Sequence, residues 1–193
     1  MDNANSTITR ILGYDFMLVS LGSKIVFRHL PRISRPLNFG PKLERACLCK
    51  KGAIIHIDED LAERTLNAYR YAALTLSLQR LSIAIVETNK FYRLESYRNI
   101  VTDVFRPDLE LSIAVRMSEQ AGFNCIMVPD CSDIDTANIL NYIASERLVI
   151  AGVNPKVANY FKAEHINHGT KPRPRGAVMY NEAIIKKIEV EHA

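Results

Sequence analysis

Several features that commonly announce a function are scarce or missing in this chain. No stretch reaches the roughly 18 or more uninterrupted apolar residues of a membrane span; the best candidate, ILGYDFMLVSLGSKIVF, is broken by Gly13, Asp15, Gly22 and Lys24. The N-terminal MDNANSTITR has an early acid and no small-residue cleavage site after an apolar core, so it does not read as a secretory signal. The expected compartment is therefore the cytoplasm, or the cell envelope if another route exports the chain. The cysteines, Cys47, Cys49, Cys125 and Cys131, are too sparse and irregular for a disulfide scaffold. Cys47-Leu48-Cys49, beside Lys50 and Lys51, would be half a metal site, but no second Cys or His pair completes it, so plain thiols are expected. His165 and His168 form one pair in a loop, and His29, His56 and His192 stand alone, so no metal is assigned. A glycine-rich phosphate loop is absent, which argues against a P-loop or a dinucleotide fingerprint, and no cofactor is expected. There is no heptad run, internal repeat or low-complexity segment.

What is present is enough apolar residue for one real core: 48% of 193 residues. The formal net charge of +4 favours acidic surfaces or polyanions as partners and leaves nucleic acid open. The chain divides by composition into residues 1–50, an N-terminal helix and basic arm, and residues 51–193, a candidate catalytic domain. In the first part, Ser6 or Thr7 caps a helix over Asn5–Leu21 on the spacing of Ile8, Ile11, Leu12, Phe16 and Val19. Lys24–Arg28 suits a short strand. Residues 28–51 then combine Pro31, Pro36 and Pro41 with many cations and one acid, Glu44, which fits an ordered loop.

Ala53–Ile57 is strand-like, and Asp58, Glu59 and Asp60 supply the acidic first turn that a helix prefers. Leu61, Leu66, Tyr69, Ala73 and Leu76 continue as an amphipathic helix. Leu81–Val86 fits two patterns: Leu81, Ile83 and Ile85 alternate as in a strand, whereas Leu74, Leu78, Leu81 and Ile85 line one face of a buried helix. That choice decides the fold. Helices are expected over Tyr92–Phe105 and Leu109–Gln120, the second closing at Gly122. Phe123–Val128 suits a strand or a buried connector. Another helix runs through Ile134, Ala137, Ile139, Leu140 and Ile143, then an apolar segment Leu148–Val153, and Asn154-Pro155 opens a short helix to Phe161. Residues 165–176 form a second basic loop and Ala177–Val190 a last helix or strand.

The most chemically suggestive residue is Glu87. It follows Leu81-Ser82-Ile83-Ala84-Ile85-Val86 and precedes Phe91 and Tyr92, apolar neighbours that would lift a carboxyl pKa and keep it protonated as a general acid. Ala84-Ile85-Val86-Glu87-Thr88 resembles the helix of lytic transglycosylases that carries the catalytic acid, with Thr88 where that family usually has Ser. Leu111–Met117 is similar in position to the family's substrate-positioning turn, without its Gly and Gln. Pro129-Asp130-Cys131-Ser132-Asp133-Ile134 resembles, in scrambled order, a motif of the branch associated with secretion machines, and Ala177-Val178-Met179-Tyr180-Asn181 is similar to the family's late Tyr-Asn motif.

The resemblance implies a mainly α, lysozyme-like single domain preceded by a basic arm, cutting peptidoglycan glycan strands. Glu87 would protonate the glycosidic oxygen and then accept the proton of the muramic 6-hydroxyl, so one carboxyl group suffices. Tyr180 would steady it, and Asn181, Asn99 and Thr88 would contact sugar. Secretion or phage-lysis machinery is the partner this implies.

An alternative takes Ala53–Asp58, Leu81–Val86, Phe123–Val128 and Leu148–Val153 as parallel strands of a doubly wound α/β sheet. Asp58 and Asp130 then fall just beyond strand ends, where such sheets bind ligands. Acids there would suit a Mg²⁺-dependent phosphodiesterase, with a faint resemblance to PIN/NYN-like ribonucleases whose Gly-Asp-Ser-Asp and Asp-x-x-Asn motifs are not intact. A third class, a non-catalytic binding or assembly protein, would use the basic segments 28–51 and 171–175 as contact surfaces.

Overall fold

A meander of three antiparallel strands opens the chain: β1 (Ser6–Ile11), β2 (Tyr14–Leu21) and β3 (Lys24–His29). This corrects the helix expected over Asn5–Leu21. Only two residues separate Ile11 from its cross-strand partner Tyr14, and only two separate Leu21 from Lys24. Both links contain glycine, and two-residue links are the commonest hairpin length. The β-branched Thr7, Ile8 and Thr9 add to the strand preference. The computed structural model describes residues 6–12, 14–21, 24–34, 41–94, 101–105, 109–161, 177–180 and 188–189. Asn99, Asn181, His165, His168 and the basic stretch 171–175 lie outside them.

Beyond the meander come β4 (Arg32–Ile33), α1 (Pro41–Cys47), β5 (Gly52–Ile57), α2 (Leu61–Leu78), β6 (Ile83–Glu87), β7 (Arg93–Leu94) and β8 (Val101–Phe105). The remainder is α3 (Leu111–Gln120), β9 (Cys125–Cys131), α4 (Ile134–Ile143), β10 (Leu148–Val153), a 3-10 turn at Ala158–Tyr160, β11 (Ala177–Tyr180) and β12 (Ile188–Glu189). The main sheet has the order β12-β11-β5-β10-β9-β6-β8. Its central strands β5, β10, β9, β6 and β8 are all parallel, and β11 joins β5 antiparallel.

A mainly α, lysozyme-like domain is thereby overturned; the structure is an α/β sheet covered on both faces. Every residue of β5, β6 and β10 is buried, as in parallel strands sandwiched between helices. On one face Ile54, Ile83, Ile85, Met127 and Ile150 meet Leu43 and Ala46 of α1 and Tyr69, Ala72, Ala73 and Leu76 of α2. On the other, Ala53, Ile55, Ala84, Val86, Ile126, Val128 and Ala151 meet Val115 of α3 and Ala137 and Leu140 of α4. Alternate residues of one strand serve opposite layers, which is why Leu81–Val86 satisfies two periodicities at once. Residues Tyr92–Phe105 contain β7 and β8 in place of the expected helix; Val101, Thr102, Val104 and Phe105 are strand formers. Within the basic segment 28–51, Leu43, Ala46 and Cys47 are fully buried beneath α2.

The meander is tied to the sheet by charge. Asp15 of β2, almost wholly buried, accepts from Arg32 Nε at 2.7 Å and Arg93 Nη1 at 3.2 Å. Arg28 of β3 donates to Asn89 Oδ1 at 3.0 Å and to the carbonyl of Lys90, and lies over the Phe91 ring at 4.8 Å. The Arg32 hydrogen bond, aided by the Arg93 charge and opposed by burial, holds the Asp15 carboxyl below its ordinary value. A depressed folded-state pKa stabilises above the unfolded value, near 3.9, and the contribution disappears as pH falls through the depressed value. Asp15→Asn should therefore lower stability at neutral pH and flatten its decline between about pH 5 and pH 2, measured by urea denaturation across that range.

Gly152, near the end of β10, has no room for a side chain. A Cβ there would stand 2.2 Å from the Pro129 carbonyl oxygen and 2.7 Å from that of Arg64. Both obstacles are backbone, so neither can rotate away. Gly152→Ala should cost about 3 kcal/mol or more, a fall in Tm of roughly 6–12 °C by calorimetry.

Candidate functional site at the carboxyl edge of the sheet

In an open α/β sheet, ligands settle outside the carboxyl ends of adjacent strands whose following connections leave for opposite faces. Here that parting lies between β6 and β9. After β6 the chain turns to the α2 face, where Tyr92 meets Tyr69 with ring centroids 5.6 Å apart and Leu94 joins the α2 cluster. After β9 it turns to the opposite face through α4. The resulting cleft is lined by Thr65, Glu87, Thr88, Asn89, Phe91, Pro129 and Asp130, and its volume of about 20 Å³ is room for a water molecule.

Two ion-paired clusters flank this cleft. On the β6 side, Glu87 Oε1 accepts from the Tyr69 hydroxyl at 2.9 Å and from Lys90 Nζ at 2.5 Å. Lys90 is completely buried and also donates to Asp103 Oδ1 of β8 at 2.8 Å. Burial pushes the Glu87 carboxyl above its ordinary value, with Lys90 and the Tyr69 hydrogen bond pulling it back. Burial pushes the Tyr69 phenol up as well, and the adjacent carboxylates add to this.

On the β9 side, Arg64 of α2 folds back over the start of its own helix. Its Nε donates to Asp130 Oδ1 at 2.9 Å, its Nη1 to the carbonyl of Glu59 at 2.9 Å and of Asp58 at 3.4 Å, and its Nη2 to Ser132 Oγ at 3.3 Å. Ser132 in turn donates to Asp130 Oδ1 at 2.6 Å. The link from β5 to α2 is just Asp58-Glu59-Asp60. Asp60 caps α2 by accepting from the Ala62 amide at 2.9 Å, and Asp58 Oδ1 accepts from the Asp60 amide at 2.8 Å. A helix N-terminus attracts anions; this one is already served by the protein's own carboxylates.

The residues assigned from sequence are not assembled as expected. Glu87 is buried, as the raised pKa argument required, but at the end of a central strand and in contact with a lysine. Tyr180 sits on β11, paired with Ala53, and four inter-strand spacings, about 19 Å, separate β11 from β6. Thr88 follows Glu87 directly and lines the cleft. Asn99 and Asn181 lie outside the described residues.

Asp58 and Asp130 do both stand past strand ends, yet an arginine bonds the carboxylate of one and the carbonyl of the other. No group of three or more His, Cys, Asp or Glu suited to a metal is found among the described residues. Arg64 was missed from sequence. The signal for it was indirect: an arginine four residues after the helix cap Asp60, in a chain whose Ile126-Met127-Val128-Pro129-Asp130 ends an apolar strand in an acid.

No family model matches the chain, and no curated protein does. Solved structures do. The Legionella pneumophila ATPase DotB matches with a TM-score of 0.60 at 14% identity, over 83% of this chain and 52% of that one. The pilus retraction motor PilT, solved with bound ADP, gives 0.60 at 17%, over 79% and 48%. The Yersinia pseudotuberculosis ATPase DotB gives 0.56 at 13%, over 82% and 49%. The fold is the one seen in these ATPases. At such identity the likeness speaks for fold alone, and the chain spans about half the length of each neighbour.

These matches, with the central parallel sheet, overturn the lytic transglycosylase resemblance and with it peptidoglycan cleavage. They lend no support to the PIN/NYN-like ribonuclease or to a binding module built on basic arms. No helix among the described residues is long and apolar enough to cross a membrane.

The buried Lys90 gives a direct test of what Glu87 does. Lys90→Met leaves Glu87 buried without its cation and should cost about 3–5 kcal/mol in chemical denaturation. Adding Glu87→Gln should recover part of that loss, because the stranded charge is then gone; no recovery would show that the two side chains are not coupled.

Proposed function

We propose that the chain is a nucleotide-independent form of the ATPase fold, a counterpart of secretion and pilus motor subunits that does not bind or hydrolyse ATP at the start of its first parallel strand-helix unit. The observation that carries this reading is the link between β5 and α2: three residues, all acidic, with the Arg64 guanidinium folded over them and locked to Asp130. A phosphate-binding loop at such a position works through glycines that let backbone amides converge on the anion and a lysine that reaches its terminal oxygens. Here the glycines and the lysine are absent, and the Ala62 amide of α2 meets the Asp60 carboxylate. A triphosphate brought to this turn would face Asp58, Glu59 and Asp60, and like charges a few ångströms apart repel by about 1 kcal/mol or more each even in water.

The close approach at Gly152 supports the same view. At Gly152 the end of β10 packs so closely on the backbone of α2 and β9 that a side chain there would meet the carbonyls of Arg64 and Pro129. What the fold retains is a rigid α/β body whose crevice is filled by its own ion pairs. Such a body serves by shape, beside or in place of an active subunit in an assembly of the class its structural neighbours represent.

The test is direct. Titrating the full chain with a fluorescent ATP analogue and Mg²⁺ should show no saturable binding up to millimolar concentrations, and phosphate release should stay at the buffer rate. Saturable binding or turnover that Asp130→Asn removes would overturn the proposal.

A further inference from the structure

Helices α3 and α4 lie side by side on one face of the sheet, with Val115 of the first and Ala137 and Leu140 of the second packed into the core they share. Between them a groove of about 320 Å³ opens to solvent, lined by Arg116 and Glu119 of α3 and by Asn138, Ile139 and Tyr142 of α4. Side chains three or four residues apart return to the same face of a helix, so Arg116 with Glu119, and Asn138 with Tyr142, form the two walls. The volume falls within the range of small-molecule sites.

The walls are fixed before any ligand arrives. Arg147 Nη1 donates to the carbonyl of Glu119 at 2.7 Å and to that of Phe123 at 3.2 Å, and the Arg147 amide donates to the Ile143 carbonyl at 2.9 Å. One residue thus ties together the carboxyl ends of both helices, and its guanidinium is spent on backbone.

The charges in the groove have no such partners. Among the described residues, the side chains of Arg116, Glu119 and Asn138 make no hydrogen bond or ion pair, although Arg116 and Glu119 are neighbours on α3. These two charges select the ligand class. An anion such as phosphate is drawn to Arg116 and repelled by Glu119, and a polyamine meets the reverse. An uncharged apolar molecule would strip water from both groups and return nothing to either.

A molecule with a carboxylate and an ammonium a few bonds apart answers both. An apolar side chain on it would lie against Ile139, the Tyr142 ring and the hydrocarbon stem of Arg116. A second copy of this chain also offers both charges, but it would set one groove against another and leave the concavity unfilled.

We propose that the α3–α4 groove binds a free amino acid with an apolar side chain, its carboxylate on Arg116 and Asn138 and its ammonium on Glu119. The proposal is independent of whether the sheet's carboxyl edge binds nucleotide, because neither helix lines the cleft there.

The experiment is a saturation-transfer NMR titration of the full chain at low salt, with L-leucine and L-phenylalanine as probes. Saturable binding of both is expected. N-acetyl-leucine, which lacks the cation, and leucinamide, which lacks the anion, should each bind about tenfold or more weakly, the loss of one charged hydrogen bond. Arg116→Gln and Glu119→Gln should each weaken leucine about tenfold without moving Tm. Tyr142→Ala should weaken both probes, Tyr142→Phe should keep them, and Met117→Gln, at an exposed α3 position outside the groove, should change nothing. The idea fails if neither amino acid binds saturably below about 10 mM, if either blocked leucine binds as well as leucine, or if Arg116→Gln or Glu119→Gln leaves binding intact. It also fails if sedimentation velocity without ligand shows a dimer that Tyr142→Ala dissolves, which would give the groove to a second copy.

Discussion

The Arg64 guanidinium lies at the meeting point of β5, α2 and β9, and the order of the sheet's carboxyl edge depends on its hydrogen bonds. Its four acceptors, Asp130, Ser132 and the carbonyls of Asp58 and Glu59, come from the end of β9 and from the β5–α2 turn. A planar, permanently charged fork suits this task better than a lysine, because its N–H groups diverge toward separate acceptors. Its side chain is almost wholly buried, so the Asp130 contact works in a medium where charge pairs are strong and unpaired charges are costly. Asp130 is less enclosed, and solvent screens part of the attraction. The three acids of the β5–α2 turn would repel one another and splay if no cation lay above their carbonyls. With Arg64 in place they become a cap, an Asx-type turn and a platform.

The second cation, Lys90, does comparable work one strand further along. It joins β6 to β8 through Glu87 and Asp103, and Asp103 lies 3.8 Å from Arg93, which also reaches Asp15 in the meander. Charge thus alternates in sign from Tyr69 and Glu87 through Lys90, Asp103 and Arg93 to Asp15. The two clusters flank a cleft of water-molecule size in which each carboxylate is matched by a cation. A divalent ion would have to displace Arg64 or Lys90 from carboxylates they already neutralise. A phosphate would meet Glu87 and Asp130 first. The cleft that topology makes available is thus lined by carboxylates that already hold cations of the chain itself.

Much of the α/β body was legible in the residues. The strand at Ala53–Ile57, the capped helix after Asp60, the Gly122 stop, where φ is +84°, and the apolar run Leu148–Val153 all stand as local chemistry suggests. The class was misjudged because Ile83–Val86 is buried on both faces, so its pattern carries no one-sided signal. The meander was missed for a different reason. An amphipathic period can be counted across Gly13 only by ignoring that a glycine between two β-branched or aromatic runs punctuates a hairpin. The candidate site was the least legible part. Glu87 was noticed for its apolar neighbours, but the lysine that answers it is three residues later and the aspartate beyond that comes from β8. Tyr180 and Glu87 seemed partners in a motif order, whereas the sheet places three strands between theirs.

The linkage from Asp15 to Glu87 also fixes the meander's attitude. A three-stranded sheet of this size has little core of its own and gains its rigidity from what it leans on. Arg28 supplies one tether, through Asn89, the Lys90 carbonyl and the Phe91 ring, and Asp15 supplies the other, through Arg32 and Arg93. Both tethers end on the segment that follows β6, within a few residues of the cleft. Two attachments from adjacent strands resist rotation where one would act as a hinge. The polar, ion-paired side of the meander must therefore face the body, leaving Ile11, Tyr14, Ile25 and Phe27 no inward alternative. Their exposure follows from the same charges that close the crevice.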